Sequence, residues 1–98
     1  MVVRLTRFKI PPDRIKDAKK IYKKEIVPEV RVQKGNLNVM LLEPTDDSHD
    51  YISFTAWESE EDATNYETSG KFKELAEKIN GLLSGKIKLK TYHAKLRQ

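Results

Sequence analysis

The sequence begins with Val2-Val3-Arg4-Leu5-Thr6-Arg7-Phe8-Lys9-Ile10, a run of β-branched and apolar residues that stops at Pro11-Pro12. Because proline has no amide hydrogen to donate to a strand ladder, the predicted first strand ends there. Side chains alternate between the faces of a strand, so Val2 and Phe8 lie opposite Val3 and Leu5. This strand is therefore predicted to be apolar on both faces.

Helical periodicity follows the two prolines. The apolar residues recur at a spacing that keeps them within one arc of a helix, and they are Ile15, Ala18, Tyr22 and Ile26. We predict that this first helix is interrupted near Pro28 and ends around Lys34-Gly35, since glycine commonly follows the last helical turn.

Two short apolar runs, Leu37 to Glu43 and Tyr51 to Trp57, flank a segment rich in Pro, Asp and Ser. Those residues favour turns, so the two runs are predicted to form an antiparallel hairpin. A second helix is predicted to begin at Ser59, whose hydroxyl can accept a hydrogen bond from the first helical turn. Gly70 is predicted to bend or restart that helix, and the alternating segment Ile87 to Leu96 is predicted to form a fourth strand.

The resulting order, β-α-β-β-α-β, predicts an α+β protein of the ferredoxin-like class, in which one antiparallel four-stranded sheet carries two helices. We expect a single domain over residues 1–98. Strands two and three also have apolar residues on both sides, but two helices can cover only one face of the sheet. Soluble monomers rarely expose so large an apolar patch, so the sequence predicts a homodimer in which a second copy covers the other face.

Composition excludes several classes of protein. There is no cysteine, so disulfides, thiolate nucleophiles and iron–sulfur clusters are ruled out. No apolar run approaches the roughly 18 residues that span a bilayer, and we expect a cytoplasmic protein with no membrane partner.

Charge is segregated along the chain. The segment from Gly35 to Gly70 contains nine acidic residues and no lysine or arginine, although the net charge of the whole sequence is +4. A basic groove for nucleic acid is one interpretation. The favoured one is a solvated surface with charge complementarity between subunits, and we predict no nucleic-acid partner. The RNA recognition motif shares the order of elements, but Asp50 to Trp57 lacks its basic-Gly-aromatic opening.

Two residues are candidates for acid–base or electrostatic chemistry. Arg7 shares a face with Val3 and Leu5, so it either reaches the rim of the sheet or projects into a cavity, where a fixed cation can stabilise an enolate or phenolate. An ion pair across the dimer interface is an equal alternative. His93 shares a face with Thr91 and can serve as a general base, although a packed histidine is favoured.

No metal site is predicted. The residues Asp46, Asp47, His49 and Asp50 offer oxygen and imidazole ligands, but a solvated turn is the favoured interpretation. The aromatic residues are predicted to be mostly core, and several of them can line a pocket for a flat apolar ligand. They are Tyr22, Phe54, Trp57, Tyr66, Phe72 and Tyr92.

The run Trp57-Glu58-Ser59-Glu60-Glu61-Asp62-Ala63, with Tyr66, Ser69 and Phe72 after it, resembles the antibiotic biosynthesis monooxygenase family. The stretch Arg31-x-x-Lys34-Gly35-x-Leu37 and the order of elements do so too. This resemblance implies a dimeric α/β barrel. It also implies oxidation of aromatic polyketides or quinols by O₂ without metal or flavin, although other members degrade haem.

The resemblance also maps family site residues onto this chain. Haem-degrading relatives have an asparagine, a tryptophan and a histidine where Arg7, Tyr66 and Ala76 stand, so haem degradation is not expected. The polyketide oxygenases have an asparagine, a tyrosine and an arginine where Ser53, Ala63 and Glu77 stand, but Trp57 is retained.

The sequence therefore predicts a cofactor-independent monooxygenase of a quinol-like or polyphenolic substrate, a small aromatic molecule. Arg7 and His93 are its predicted catalytic residues, and the predicted substrate-binding residues are Ser53, Trp57, Tyr66 and Phe72. The alternative is a non-catalytic, dimeric ligand-binding or stress-associated module with the same fold.

Overall fold

The computed structural model describes residues 1–95 and contains one sheet of four antiparallel strands. The strands are β1 (Val2–Lys9), β2 (Asn36–Leu42), β3 (Asp50–Trp57) and β4 (Ser84–His93). Their spatial order is β2-β3-β1-β4, so β1 and β3 are central and β2 and β4 are the edges. The predicted ferredoxin-like α+β class is confirmed. The end of the predicted fourth strand, Leu96, lies outside the described residues.

The helices are α1 (Ile15–Ile21), α2 (Val27–Arg31), α3 (Glu60–Thr68) and α4 (Lys71–Ile79). The predicted interruption of the first helix is a π-helical turn, Tyr22–Ile26, which joins α1 to α2 without a break. Pro28 follows this turn and lies in the first turn of α2, where its missing amide hydrogen is tolerated.

The second helix begins and divides as predicted. The Ser59 hydroxyl accepts a hydrogen bond of 3.1 Å from the amide of Asp62, which caps α3. Gly70 then adopts a φ of 90°, a left-handed conformation that favours glycine, and α4 starts directly after it.

All helices pack on the face of the sheet that carries the even-numbered residues of β1. On that face Val2, Phe8 and Ile10 are almost completely buried, and neighbouring strands add Val39, Tyr51 and Trp57. The helices contribute the rest of the core, which comprises Ala18, Tyr22, Ile26, Val30, Ala63, Tyr66, Leu75 and Ile79. The main hydrophobic core is thus enclosed within one copy of the chain.

Within residues 1–95, no helix lies over the opposite face of the sheet, which is largely apolar at its centre, as predicted. Register places Val3 and Leu5 beside Ala56 and Phe54 of β3, with Tyr92 of β4 next to Val3. Large side chains toward the edges of this face are exposed: Met40 is 38% exposed, Leu42 37% and Tyr92 44%. The apolar residues of this uncovered face are Val3, Leu5, Met40, Leu42, Ile52, Phe54, Ala56 and Tyr92, and the basic residues Arg7, Lys88 and Lys90 lie on the same face. Within residues 1–95, no helix has both the length and the apolar character needed to cross a bilayer.

Candidate functional site

A cavity lies between the helix-covered face of the sheet and the helices above it. Its volume is about 90 Å³. Ligand sites commonly measure roughly 300–1,000 Å³, so this cavity suits a small, flat molecule better than one with several fused rings. The sheet contributes Arg4, Thr6, Phe8, Ser53, Thr55 and Ile87, and the segments above it contribute Tyr22, Ile26, Val30, Tyr66, Phe72, Leu75, Ala76, Ile79, Asn80 and Leu83.

Arg4 places a cation in the wall of this cavity. The residue is only 5% exposed, and its guanidinium contacts three different partners. Its Nε donates to the Thr91 hydroxyl at 3.2 Å, and its Nη1 donates to the Ala63 carbonyl at 3.2 Å. Its Nη2 lies 3.1 Å from a carboxylate oxygen of Glu67. A buried charge is tolerated when it is paired and hydrogen-bonded, and these contacts also fix its direction.

The strand register explains why Arg4 is buried. Arg4 lies opposite Thr55 of β3 and Thr91 of β4, on the same face as Val2 and Phe8. That face is the one beneath the helices, so the side chain has no direct route to solvent through the sheet. Glu67 reaches it from α3 and is half-exposed, so it supplies the counter-charge from the outside.

Tyr22 forms the second polar group of the cavity. Its hydroxyl lies 2.8 Å from the Ser53 hydroxyl and donates to the Met40 carbonyl at 3.1 Å. Burial raises the pKa of Tyr22 to about 12, although the hydrogen bond to Ser53 opposes the shift. Tyr22 belongs to the π-helical turn, a feature that often marks functional sites because it redirects side chains.

Tyr66 is the third polar group; its hydroxyl forms no hydrogen bond within residues 1–95 and is not fully buried. Burial raises the pKa of Tyr66 to about 12; the phenol of Tyr22 adds to the shift and the cation of Arg4 opposes it. The group is therefore a protonated donor at neutral pH. Its ring stacks on Trp57, with centroids 5.0 Å apart, and meets the edge of Phe72 at 5.9 Å.

These groups can hold an aromatic molecule that carries a negatively charged oxygen. Arg4 supplies a fixed positive charge, Tyr66 supplies a neutral hydrogen-bond donor, and the rings of Tyr66 and Phe72 supply an apolar wall. Among the described residues, the cavity wall includes no carboxylate and no imidazole. Proton abstraction by a side chain in the wall is therefore not part of the chemistry that this arrangement offers.

The structure brings together three of the predicted substrate-binding residues. Ser53, Tyr66 and Phe72 all line the cavity. Trp57 does not line it; it is fully buried behind the Tyr66 ring, and its Nε1 donates to the Thr55 hydroxyl at 3.0 Å. Trp57 therefore positions Tyr66 and Thr55 from behind, which corrects the expectation that it contacts a ligand.

The two predicted catalytic residues lie away from the cavity. Arg7 is exposed on the uncovered face, because an odd-numbered residue of β1 points away from the helices. His93 shares the helix-side face with Thr91, as predicted, but it lies at the end of an edge strand. Its side chain is 58% exposed, and its Nε2 lies 3.4 Å from a carboxylate oxygen of Glu60. Neither residue is placed to contact a molecule in the cavity.

In the turn between β2 and β3, the carboxyl group of Asp46 is engaged by the neighbouring backbone. Asp46 accepts a hydrogen bond of 3.0 Å from the Ser48 amide, and hydrogen bonds from Ser48 lower the pKa of its carboxyl group. Within residues 1–95, no three carboxylate or imidazole side chains form a group that could hold a metal ion.

Sequence reasoning missed Arg4 and Thr6 as cavity residues. Arg4 shares a face with Val2, Phe8 and Ile10, but the opposite face carries Val3 and Leu5, so alternation alone does not show which face the helices cover. Tyr22 was recognised only as one of several aromatic residues, because its hydrogen bonds to Met40 and Ser53 depend on strand register.

Comparison with known proteins identifies the family. A sequence model described as "Antibiotic biosynthesis monooxygenase" matches residues 1–78. No curated protein matches this chain in sequence.

Solved structures share the fold at low sequence identity. An antibiotic biosynthesis monooxygenase homologue from Deinococcus radiodurans superposes with a TM-score of 0.83 at 12% identity, covering 100% of this chain and 96% of its own. MhuD, solved with two manganese protoporphyrin IX molecules per active site, gives 0.83 at 21% identity, covering 100% and 98%. SnoaB, a cofactor-independent oxygenase from Streptomyces nogalater, gives 0.81 at 14% identity, covering 98% and 94%.

The two cavity tyrosines give a matched test of which hydroxyl is structural. We expect Tyr22→Phe to lower the free energy of unfolding by about 1–3 kcal/mol, because it leaves the Met40 carbonyl and the Ser53 hydroxyl without this partner. We expect Tyr66→Phe to change it by less than about 0.5 kcal/mol, because its hydroxyl has no such bond to lose. Chemical denaturation measures both values, and equal losses in the two variants would contradict the assignment.

Proposed function

This chain belongs to the antibiotic biosynthesis monooxygenase family, and from that premise we propose that it oxygenates a small quinol-like or polyphenolic aromatic molecule without a cofactor. The observation that carries the proposal is that Arg4 and Tyr66, whose hydroxyl forms no hydrogen bond within residues 1–95, line the same cavity. The earlier candidates Arg7 and His93 have no part in it, because both lie outside that cavity. Family membership supports an oxygenase, and the polar groups of the cavity support an oxygen-bearing aromatic substrate.

The chemistry needs no external reductant. A bound hydroquinone and O₂ yield a hydroxyquinone and water: one oxygen atom is added to the ring and the other leaves as water. All four electrons that O₂ accepts come from the aromatic ring. The ring becomes reactive toward O₂ when one of its hydroxyls is ionised, and the guanidinium of Arg4 stabilises that anion.

The remaining cavity residues orient the ring and exclude water. Tyr66 donates a hydrogen bond to the anionic oxygen, and its own ring is held by the stack on Trp57. Phe72 adds an aromatic side chain to the wall from α4. The apolar lining strengthens the electrostatic contribution of Arg4, because a bound ring displaces solvent that would screen its charge.

Haem chemistry is not supported by this site. MhuD is a structural neighbour that holds manganese protoporphyrin IX, but its likeness at 21% identity concerns the fold. The cavity measures about 90 Å³, too small for a porphyrin, and Ala76 lines its wall where the haem-degrading pattern has an iron-binding histidine. The residues of this chain therefore do not fit a haem group.

Oxygen uptake with a panel of hydroquinones tests the oxygenase proposal. We expect the wild type to consume O₂ and to form one hydroxyquinone for each O₂. Tyr66→Phe is expected to lower kcat/KM about 100-fold, the usual scale for loss of one oxyanion donor. Tyr92→Phe is the matched control, because that hydroxyl lies on the other face of the sheet, and it should leave the rate unchanged.

Two results would count against oxygenation. Equal rates in the wild type and Tyr66→Phe would remove the proposed site. Tight ligand binding with no O₂ uptake under any condition would favour the alternative, a dimeric ligand-binding module that uses the same cavity.

We also propose that the partner of this chain is a second copy, seated on the uncovered face. The face carries eight apolar side chains from all four strands. Burying such a surface is favourable by roughly 25 cal/mol for each Å² removed from water. Arg7 lies on the same face and can form an ion pair across a two-fold axis, the alternative role that its position in the sequence left open.

Sedimentation velocity at micromolar concentration tests this dimer. We expect the wild type to sediment as a dimer and Phe54→Asp to sediment as a monomer, because the substitution places a charge at the centre of the uncovered face. Val32→Asp is the control, since Val32 is 76% exposed but does not belong to the sheet. A monomeric wild type would contradict the proposal.

A further inference from the structure

The guanidinium of Arg4 has N–H donors left for one more anionic partner. Arginine has five N–H donors, and the described residues engage three of its nitrogens, through Thr91, Ala63 and Glu67. Glu67 neutralises the charge from a half-exposed position, whereas Arg4 itself is only 5% exposed. The cavity wall therefore carries a buried cation whose counter-charge lies on the solvent side.

Among residues 1–95, the wall of the same cavity offers no carboxylate or imidazole that could take a proton from a ligand. The described residues in its wall include hydroxyls, one amide and one guanidinium, but no carboxylate or imidazole. The phenols of Tyr22 and Tyr66 remain protonated at neutral pH and act as donors. A ligand that must be anionic to react consequently has to arrive with its proton already lost.

From this pairing of a buried cation with the absence of a base in the described wall, we propose that the site selects phenols that are already ionised when they bind. The inference rests on the proposed function and narrows its substrate class to acidic phenols, whose phenolate oxygen is bound by Arg4 and Tyr66. A more acidic phenol is ionised to a larger extent in solution and therefore binds better, so the acidity of the substrate replaces deprotonation by a catalytic base.

The arrangement of the cavity also orients such a ligand. Arg4 and Phe8 both line the cavity and lie four residues apart on the same face of β1, so the charged and the aromatic parts of this strand's wall are separated. Ile79, Leu83 and Ile87 add apolar side chains to the wall. The charged oxygen therefore points toward Arg4, and the ring and any apolar substituent point toward these side chains.

Several other titratable groups face Arg4 or lie near it, and the test has to separate them. Glu67 and Tyr66 reach it from α3, and Tyr22 lies on the facing π-helical turn. From β4, Thr91 contacts it, and His93 follows two residues later with its Nε2 3.4 Å from a carboxylate oxygen of Glu60. The variant His93→Gln removes the imidazole, so any dependence on pH that persists in it belongs to the ligand or to the other groups.

Binding of 4-nitrophenol is the direct test, because its phenolate form has its own absorption band and ionises near neutral pH. The ligand is not a hydroquinone, so binding is read without turnover and a failed oxygenase proposal stays distinguishable. We expect bound nitrophenol to ionise at a lower pH than free nitrophenol, with the phenolate bound at least about tenfold more tightly than the neutral form. 4-Nitroanisole, which cannot ionise, should bind at least tenfold more weakly than the phenolate.

Matched variants locate the effect. Arg4→Gln is expected to abolish the preference for the phenolate, whereas Arg7→Gln, a substitution of the same type on the opposite face of β1, is expected to retain it. Glu67→Gln keeps the cation and removes its counter-charge, so it should tighten nitrophenolate binding and remains informative if Arg4→Gln fails to fold. His93→Gln should behave like the wild type.

The proposal is overturned by any of three results. These are equal binding of nitrophenol and nitroanisole, bound nitrophenol that stays neutral above the pH at which the free form ionises, or no binding of either compound. Loss of the phenolate preference in Arg7→Gln but not in Arg4→Gln would also overturn it, because the anion would then bind on the other face of the sheet.

Discussion

Burial of one guanidinium beneath the helices organises this protein. The alternation of side chains along β1 places Arg4 on the covered face, where an unpaired charge would be strongly unfavourable. The chain satisfies it with a carbonyl and a carboxylate from α3 and a hydroxyl from β4. One side chain thus connects a central strand, an edge strand and a helix, and the same contacts fix a positive charge in the wall of the cavity.

The features around Arg4 turn that charge into a candidate site. Trp57 stacks on the ring of Tyr66 and so fixes the direction of its phenol. Burial raises the pKa of that phenol, and the charge of Arg4 opposes the shift. Gly70 ends α3 and lets α4 start in a new direction, which brings Phe72 against the edge of the Tyr66 ring. The π-helical turn Tyr22–Ile26 likewise places the Tyr22 side chain in the cavity wall. Each of these features adds an aromatic side chain to the cavity wall, and the part of the wall formed by residues 1–95 has no carboxylate or imidazole.

The fold follows from the sequence because its signals are local. Pro11-Pro12 ends β1, Ser59 caps α3 and Gly70 separates two helices, and each of these effects depends only on neighbouring residues. The face of the sheet that is covered by helices is a long-range property. Both faces of β1 carry apolar residues, so alternation separates Arg4 from Arg7 but does not indicate which of them is buried. Arg7, which shares a face with Val3 and Leu5, was the residue expected at the site.

The positions of Trp57 and His93 also differ from the sequence-based expectation because they depend on long-range packing. Trp57 was expected at the ligand because tryptophan suits an aromatic pocket, but its depth behind Tyr66 depends on how α3 crosses the sheet. His93 was expected to be partly buried because of its alternation, yet β4 is an edge strand and exposes that position. Ser53, Tyr66 and Phe72 line the cavity because they belong to segments that pack beneath or within the helices, and their role in substrate binding stays a prediction.

The most direct test of the central claim is a crystal structure of the protein with 4-nitrophenolate bound. We expect the ligand to occupy the cavity beneath the helices, with its phenolate oxygen within hydrogen-bonding distance of the Arg4 guanidinium and the Tyr66 hydroxyl and its ring against Phe72. A ligand bound on the uncovered face beside Arg7, or one bound in the cavity with its charged oxygen turned away from Arg4, would contradict the account.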